Sequence, residues 1–181
     1  MTRNGEGIVV AGGVRTAIGK FAGAFKDTPS SDLGANAIRA AVERAGIGPE
    51  VVDEVILGCV GQVGEDAFNA RLATLKAGLP EKTTAFNVNR LCGSGLQAIN
   101  SAVQELRTGE AQVVVAGGNE NMSIQPYLLP RSQVGWRLGE ATLIDGFTRS
   151  FYTSLLRAER YARPRTPCSM RCCAKTNRTL A

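Results

Sequence analysis

A cysteine stands at a predicted corner between a strand and a helix. Residues 83–89 have the composition of a strand, residues 90–95 (RLCGSG) that of a tight turn, and the apolar spacing beyond them predicts a helix to about Thr108. A side chain at a helix N-terminus faces backbone N–H groups that lack intrahelical partners, and the positive end of the helix dipole. Both favour a thiolate, the form of cysteine that attacks a carbonyl carbon. The pattern therefore predicts Cys92 as a nucleophile.

Two other interpretations of this turn follow from the residues. A single cysteine is commonly a small buried core residue. Residues 93–98 also satisfy G-x-G-x-x-A, a pattern of dinucleotide sites. Against a dinucleotide, the turn follows the third predicted strand, the strand at 112–116 ends in glycines, and the next acidic residue is Glu120. The dinucleotide interpretation is disfavoured, whereas a buried and a nucleophilic Cys92 both remain open at this point.

Hydrophobic periodicity predicts strands that alternate with helices. Helices are expected at residues 30–45 and 66–79 and after the Cys92 turn, and short apolar runs predict the strands. Cys59 falls inside the second predicted strand and is expected to be a core residue. This alternation predicts an α/β fold whose mostly parallel sheet carries helices on both faces. The predicted strands are residues 7–11, 52–60, 83–89 and 112–116.

Local details are predicted for each helix. Ser30, Ser31 and Asp32 offer N-caps to the first helix, and Gly46 ends it. Pro80 is expected to stop the second helix. The central helix is predicted to bury its larger apolar residues, which are Leu96, Ile99, Ala102, Val103 and Leu106.

Composition indicates a cytoplasmic protein with one main domain. The 181 residues are 44% hydrophobic, and we expect no membrane span because apolar runs of about 18 residues are missing. The first residues also lack the apolar segment of a secretory signal. Five cysteines form no disulfide framework, which favours a reducing compartment.

The positive charge is concentrated at one end of the chain. Residues 148–181 carry eight basic residues and one acidic residue, whereas the remaining 147 residues carry 13 basic and 15 acidic ones. The net charge of +5 therefore arises from the tail, and the body is mildly acidic. We expect neither nucleic acid nor a membrane as a partner.

Four segments together form a recognisable pattern: NVNRLCGSGLQAI at residues 87–99, RTAIGKF at 15–21, AGGNENMS at 116–123 and PYLLP at 126–130. They resemble segments of the thiolases, the family of acetyl-CoA acetyltransferases and 3-ketoacyl-CoA thiolases. They occur in the order found in that family, and the resemblance covers about residues 8–146. It implies a thiolase N-terminal domain at 1–146, with a loop domain starting near residue 122, as the incomplete first half of the enzyme's α/β fold.

The resemblance also implies an activity. Cys92 matches the residue that accepts an acyl group, so the expected function is acetyl-CoA C-acetyltransferase-like transfer between a cysteine thioester and coenzyme A. Coenzyme A thioesters are then substrates, and no cofactor or metal is expected. Complete thiolases are homo-oligomers. The alternatives are a 3-ketoacyl-CoA thiolase of fatty-acid β-oxidation, a related condensing enzyme such as a ketoacyl synthase, and a non-enzymatic truncated remnant.

The chain departs from the family pattern in two ways. It contains no histidine, although family members use histidines and a second cysteine from their C-terminal half for proton transfer and enolate stabilisation. We therefore expect this chain alone to be inactive or nearly so. The resemblance also ends at Gly146, and the basic tail at 147–181 is expected to be frameshifted or disordered. Its cysteines, Cys168, Cys172 and Cys173, fit no usual zinc spacing.

Overall fold

A three-stranded parallel sheet forms the centre of the computed structural model, which describes residues 7–130, 132–135 and 138–147. Its strands are β1 (Glu54–Gly58), β2 (Thr84–Val88) and β3 (Val114–Gly118), in the order β2-β1-β3. Glu54 pairs with Thr84 on one side and with Val114 on the other. Three of the predicted strands are therefore confirmed. The predicted tail lies outside the described residues apart from Phe147.

Three α-helices accompany the sheet in the described part of the chain: α1 (Ser30–Ala45), α2 (Asn69–Lys76) and α3 (Ser94–Thr108). Two very short strands, β4 (Tyr127–Leu128) and β5 (Ile144–Asp145), pair antiparallel. Short 3₁₀ turns occur at Pro49–Val51, Gly64–Phe68, Met122–Ile124 and Ser132–Val134. The segment after β3 therefore leaves the sheet.

Alternation along β1 divides the core between the two faces of the sheet. Val55 and Leu57 pack into the cluster formed with α1 and α2, whereas Ile56 packs against Ala98 and Ala102 of α3. Successive side chains of a strand point to opposite faces, so a strand buried on both sides is apolar throughout. The prediction of a parallel sheet with helices on both faces is confirmed.

The predicted first strand, residues 7–11, is wrong. Val9 and Val10 are 85% and 89% exposed, and the segment has no regular secondary structure. The residues that follow it lie beside α1, where Arg44 donates a hydrogen bond to the carbonyl of Gly13 (2.8 Å). A β-branched run forms a strand only where a sheet edge supplies hydrogen-bond partners, and this segment finds none among the described residues.

The predicted buried face of α3 is also partly wrong. Ala98 and Ala102 are buried, but Leu96 and Ile99 are 66% and 43% exposed. The stripe that meets the sheet consists of Ser94, Ala98 and Ala102, whose spacing of four places them on one helix face. Small side chains allow α3 to approach the sheet closely, and the larger apolar residues beside them remain uncovered in the described part of the chain.

The first helix has the predicted bounds but a different N-cap, whereas the second helix differs from the prediction at both ends. Pro29 takes the N-cap position of α1, and Ser30 lies inside the helix, where its hydroxyl donates to the Asp66 carboxylate (2.6 Å). The helix predicted at 66–79 forms a 3₁₀ turn first, and α2 then ends at Lys76, before Gly78 with its φ of 86° and before Pro80.

The third strand begins two residues later than predicted because of a neighbouring carboxylate. Asp53 accepts hydrogen bonds from the N–H groups of Gln112 (2.8 Å) and Val113 (3.0 Å). These bonds lower the pKa of Asp53. They also remove both N–H groups from the strand pairing, so β3 starts at Val114 and continues through Gly118.

Candidate active site

The predicted nucleophile lies at an exposed turn between β2 and α3. Cys92 is exposed, follows the end of β2 by four residues and precedes Ser94, the first residue of α3, by two. Gly93 occupies the N-cap position of the helix. The buried interpretation of Cys92 is therefore wrong, and the sulfur lies at the helix end where the dipole favours negative charge.

The turn contains a strained residue, Leu91, whose φ is +52°. A left-handed conformation costs a non-glycine residue about 1–2 kcal/mol. Hydrogen bonds on both sides of Leu91 hold it there: its N–H donates to Asn89 Oδ1 (3.0 Å), and its carbonyl accepts from Ser94 Oγ (2.6 Å). Ser94 Oγ also accepts from the N–H of Arg90 (2.8 Å), which closes the turn.

Glycines on the sheet allow α3 to begin close to the strand ends. A Cβ atom at Gly58, the last residue of β1, would collide with the backbone of Ser94 and Gly95. Gly118, at the end of β3, also lies against the backbone of Gly58 and Gly95. The start of α3 therefore packs directly against the carboxyl end of the sheet, and the Cys92 turn lies beside it.

The second free cysteine in the described part of the chain has a different environment. Cys59 is 1% exposed and accepts a hydrogen bond from Asn69 Nδ2 (3.5 Å). Burial, followed by the negative charge of Glu120, raises the pKa of the Cys59 thiol to about 12. Cys59 is therefore a protonated interior thiol rather than a nucleophile, as expected for a core residue.

Glu120 fixes the loop that follows β1. Its Oε2 accepts from the N–H of Val60 (2.7 Å), and its Oε1 accepts from the N–H of Gly61 (3.2 Å). The same loop contacts the Cys92 turn, because Asn89 Nδ2 donates to the carbonyl of Val60 (3.3 Å). Glu120 is thus linked to the turn through one loop.

The asparagines on either side of Glu120 connect more distant segments. Asn119 Nδ2 donates to the carbonyl of Ser30 (2.6 Å) and to Asn69 Oδ1 (2.8 Å). Asn121 Nδ2 donates to the carbonyls of Phe25 (2.7 Å) and Thr28 (2.8 Å). In the sequence, these residues indicated only a family resemblance. The dense run of amide and carboxylate side chains just after a strand was the signal that could have revealed their role.

A cavity of about 570 Å³ opens between residues 14–25 and residues 117–123, and Ile99 of α3 forms part of its wall. Cys92 is not among the described residues that line it. The cavity wall therefore reaches the start of α3 through Gly95 but does not include Cys92.

The Cys92 sulfur receives no hydrogen bond from any described residue, and the whole sequence contains no histidine to act as its base. The described side chains also include no group of three or more His, Cys, Asp or Glu residues that could hold a metal. None of the described helices has the length and apolar character needed to cross a membrane. The chemistry available at the site is thus that of an exposed thiol at a helix N-terminus.

Comparison with known proteins identifies the family. The family model described as "Thiolase, N-terminal domain" matches residues 8–164. The chain belongs to the thiolase family. The matched range extends beyond Gly146, where the recognisable thiolase segments end.

Relatives and solved structures agree with this thiolase assignment. The chain is 48% identical over 138 residues to an acetyl-CoA acetyltransferase of Cupriavidus necator, and 47% identical over 138 residues to a probable acetyl-CoA acyltransferase of Staphylococcus aureus. These matches cover 76% of this chain and 35% of each relative. The crystal structure of the Bacillus anthracis acetyl-CoA acetyltransferase is similar with a TM-score of 0.72 and 42% identity, covering 76% of this chain and 35% of that one. This thiolase chain therefore spans about a third of the length of its relatives.

Proposed function

We propose that Cys92 is the acyl-accepting nucleophile of a thiolase-type acyltransferase. Its thiolate attacks the carbonyl carbon of an acyl-coenzyme A thioester. A carbon–sulfur bond forms to Cys92, the bond to the coenzyme A sulfur breaks, and coenzyme A leaves as a thiolate that takes up the proton Cys92 has lost. The observation that carries this proposal is the exposure of Cys92 directly before α3.

The substrate proposed is acetyl-coenzyme A. Relatives of this thiolase are named acetyl-CoA acetyltransferase and acetyl-CoA acyltransferase, which supports an acyl-coenzyme A substrate. A 3-ketoacyl-CoA thiolase of fatty-acid β-oxidation would use the same nucleophile on a longer acyl chain. The match to the thiolase model supports a thiolase over a ketoacyl synthase.

We expect this chain by itself to perform the first half-reaction slowly at most. A helix terminus favours a nearby negative charge by only about 0.3–1 kcal/mol at exposed positions. A positioned acid or base typically accelerates a reaction about 10²- to 10⁴-fold, and the chain has no histidine to supply one. The thioester at Cys92 should therefore form on a scale of minutes to hours rather than in rapid turnover.

Incubation with acetyl-coenzyme A followed by intact mass measurement tests the proposal. We expect one acetyl group on the wild-type chain, which peptide mapping assigns to Cys92, and none on Cys92→Ala. Cys59 serves as an internal control because it is buried. An acetyl group on another residue, or no adduct after prolonged incubation, would contradict the role of Cys92.

A second candidate function is association without catalysis. The exposed apolar residues of α3, Leu96 and Ile99, favour it because they present a surface suited to another protein. Absence of an acetyl adduct together with concentration-dependent association would support this alternative.

We also propose a cytoplasmic location and a homo-oligomeric assembly as in complete thiolases, with no nucleic acid or membrane partner. Cys59 and Cys92 are both free thiols, and a nucleophilic thiol needs a reducing compartment to remain active. The need for a reducing compartment is tested by measuring acetylation after purification under reducing and under non-reducing conditions. Oxidation of Cys92 should abolish acetylation.

A further inference from the structure

The two hydrogen bonds made by Asn89 connect the Cys92 turn to the loop beside it. Its Oδ1 accepts from the N–H of Leu91 (3.0 Å), and its Nδ2 donates to the carbonyl of Val60 (3.3 Å). Asn89 therefore contacts the residue directly before Cys92 and, with the other end of its amide, a loop that comes from a different strand.

That loop is itself firmly held. The N–H of Cys59 donates to the carbonyl of Val88 (3.1 Å). The N–H groups of Val60 and Gly61 donate to the carboxylate of Glu120. A side chain that bonds to a fixed loop can hold a strained residue in place, whereas one that bonds only to its own turn moves with it.

Leu91 needs such support because its φ of +52° is a conformation that side chains other than glycine rarely adopt. Asn89 binds its N–H and Ser94 binds its carbonyl. If Leu91 relaxed toward negative φ, the chain direction at Cys92 would change, and the sulfur would leave the start of α3.

We propose that Asn89 is a positioning residue for Cys92: it holds Leu91 in its left-handed conformation and so keeps the sulfur at the N-terminus of α3. The relevance to catalysis rests on the proposed function. The geometric claim concerns the thiol itself, and it can be tested without an acyl substrate.

The test measures the alkylation rate of Cys92 by iodoacetamide as a function of pH, with peptide mapping to follow Cys92 alone. Asn89→Ala should slow alkylation across the pH range about five- to tenfold, the effect expected from losing ordinary hydrogen bonds that hold a strained turn. Asn100→Ala is the matched control, since Asn100 lies exposed on α3 and should leave the profile unchanged.

Glycine at position 91 supplies a rescue, because it adopts positive φ without strain. Leu91→Gly combined with Asn89→Ala should restore alkylation to within about twofold of Leu91→Gly alone, if the role of Asn89 is to hold this backbone conformation. Asn89→Ser retains a weaker acceptor and should give an intermediate rate. These variants keep the proposal testable if Asn89→Ala itself folds poorly.

The outcomes separate the inference from the proposed function. An unchanged Cys92 profile in Asn89→Ala, even with a lowered melting temperature, would assign Asn89 a purely structural role and overturn the inference, as would failure of the double variant to recover. Lack of acetylation in the wild-type chain would overturn the proposed function alone. Acetylation at the wild-type rate in Asn89→Ala would overturn the inference and leave the proposed function standing.

Discussion

Two cysteines of one chain show how strongly the environment determines what a thiol can do. Cys92 is exposed, and it lies just before the first residue of a helix. Cys59 is buried beside Glu120, and its burial raises the pKa of the thiol to about 12. Thiolate availability is what separates a reactive from an inert cysteine. An alkylating reagent should therefore modify Cys92 in the folded chain and reach Cys59 only after unfolding.

Glu105 on α3 provides a prediction for pH-dependent stability. Hydrogen bonding to Glu54, then burial and the charges of Glu54 and Glu110, raise the pKa of Glu105 from 4.5 to about 7. Between these values the folded state keeps a proton that the unfolded state releases, so the free energy of unfolding falls as pH rises through this range. Glu105→Gln should remove this decrease and make the chain relatively more stable at pH 8.

Urea denaturation at pH 5 and pH 8 provides the measurement. Glu43→Gln, an exposed substitution on α1, is the control and should follow the wild type. A Glu105→Gln chain that loses as much stability as the wild type between the two pH values would show that Glu105 ionises normally.

The seating of α3 on the sheet depends on glycine at the end of β1. Alanine at position 58 would press its Cβ against the backbone of Ser94 and Gly95, whereas a Cβ at Gly117 meets nothing within 4 Å. We expect Gly58→Ala to cost about 1–3 kcal/mol of unfolding free energy, as overpacked positions do, and Gly117→Ala to cost much less. Gly58→Ala should also alter Cys92 alkylation, since the helix start must move.

Paired denaturation and alkylation measurements on these two variants check the expectation. If Gly58→Ala and Gly117→Ala lowered the unfolding free energy equally, the loss would come from replacing a glycine in a strand and not from contact with α3.

Helices and strands were predicted well where neighbouring residues determine them, and poorly where contacts with distant segments determine them. Periodicity and turn glycines predicted α1, α3 and the corner between strand and helix at Cys92, but they left the exposure of Cys92 open. The run at residues 7–11 has strand composition but finds no sheet edge among the described residues, and no local signal reveals this. The start of β3 was set by Asp53, a residue 61 positions before Val114 in the sequence.

The candidate site was likewise only partly predictable. The turn composition made Cys92 a candidate and the family resemblance selected it, but the contacts of Asn89 and Glu120 join segments that are distant in the sequence. Glu120 lies 60 residues from Val60, and Asn89 lies 29 residues from it. Side-chain hydrogen bonds over such separations leave no periodic trace in a single sequence.

The described part of the molecule exposes large apolar residues on the α3 side of its sheet. Leu96 and Ile99 are 66% and 43% exposed, and the outer edge of β3 pairs with no strand among the described residues. The chain spans 35% of the length of the relative from Cupriavidus necator. Exposed apolar patches and open strand edges promote association.

We therefore expect concentration-dependent self-association that a charged α3 surface reduces. Leu96→Lys with Ile99→Lys should shift the sedimentation profile toward monomer while changing the unfolding free energy by no more than about 0.5 kcal/mol each, as is usual at exposed sites. Leu75→Lys on α2 is the control, because Leu75 is 42% exposed on the other side of the sheet. Equal effects of both changes would indicate non-specific charge repulsion.

The hydrogen bonds of residues 119–121 also determine when the molecule can finish folding. Asn119 bonds to Ser30 across 89 positions, and Asn121 bonds to Phe25 across 96. Contacts between such remote positions form late, because a long loop must close first. During synthesis, the segment around Cys92 emerges from the ribosome well before Glu120, which secures the adjoining loop. We therefore expect the loop beside the reactive corner to reach its final geometry late in folding, after the segment that carries the thiol has already emerged.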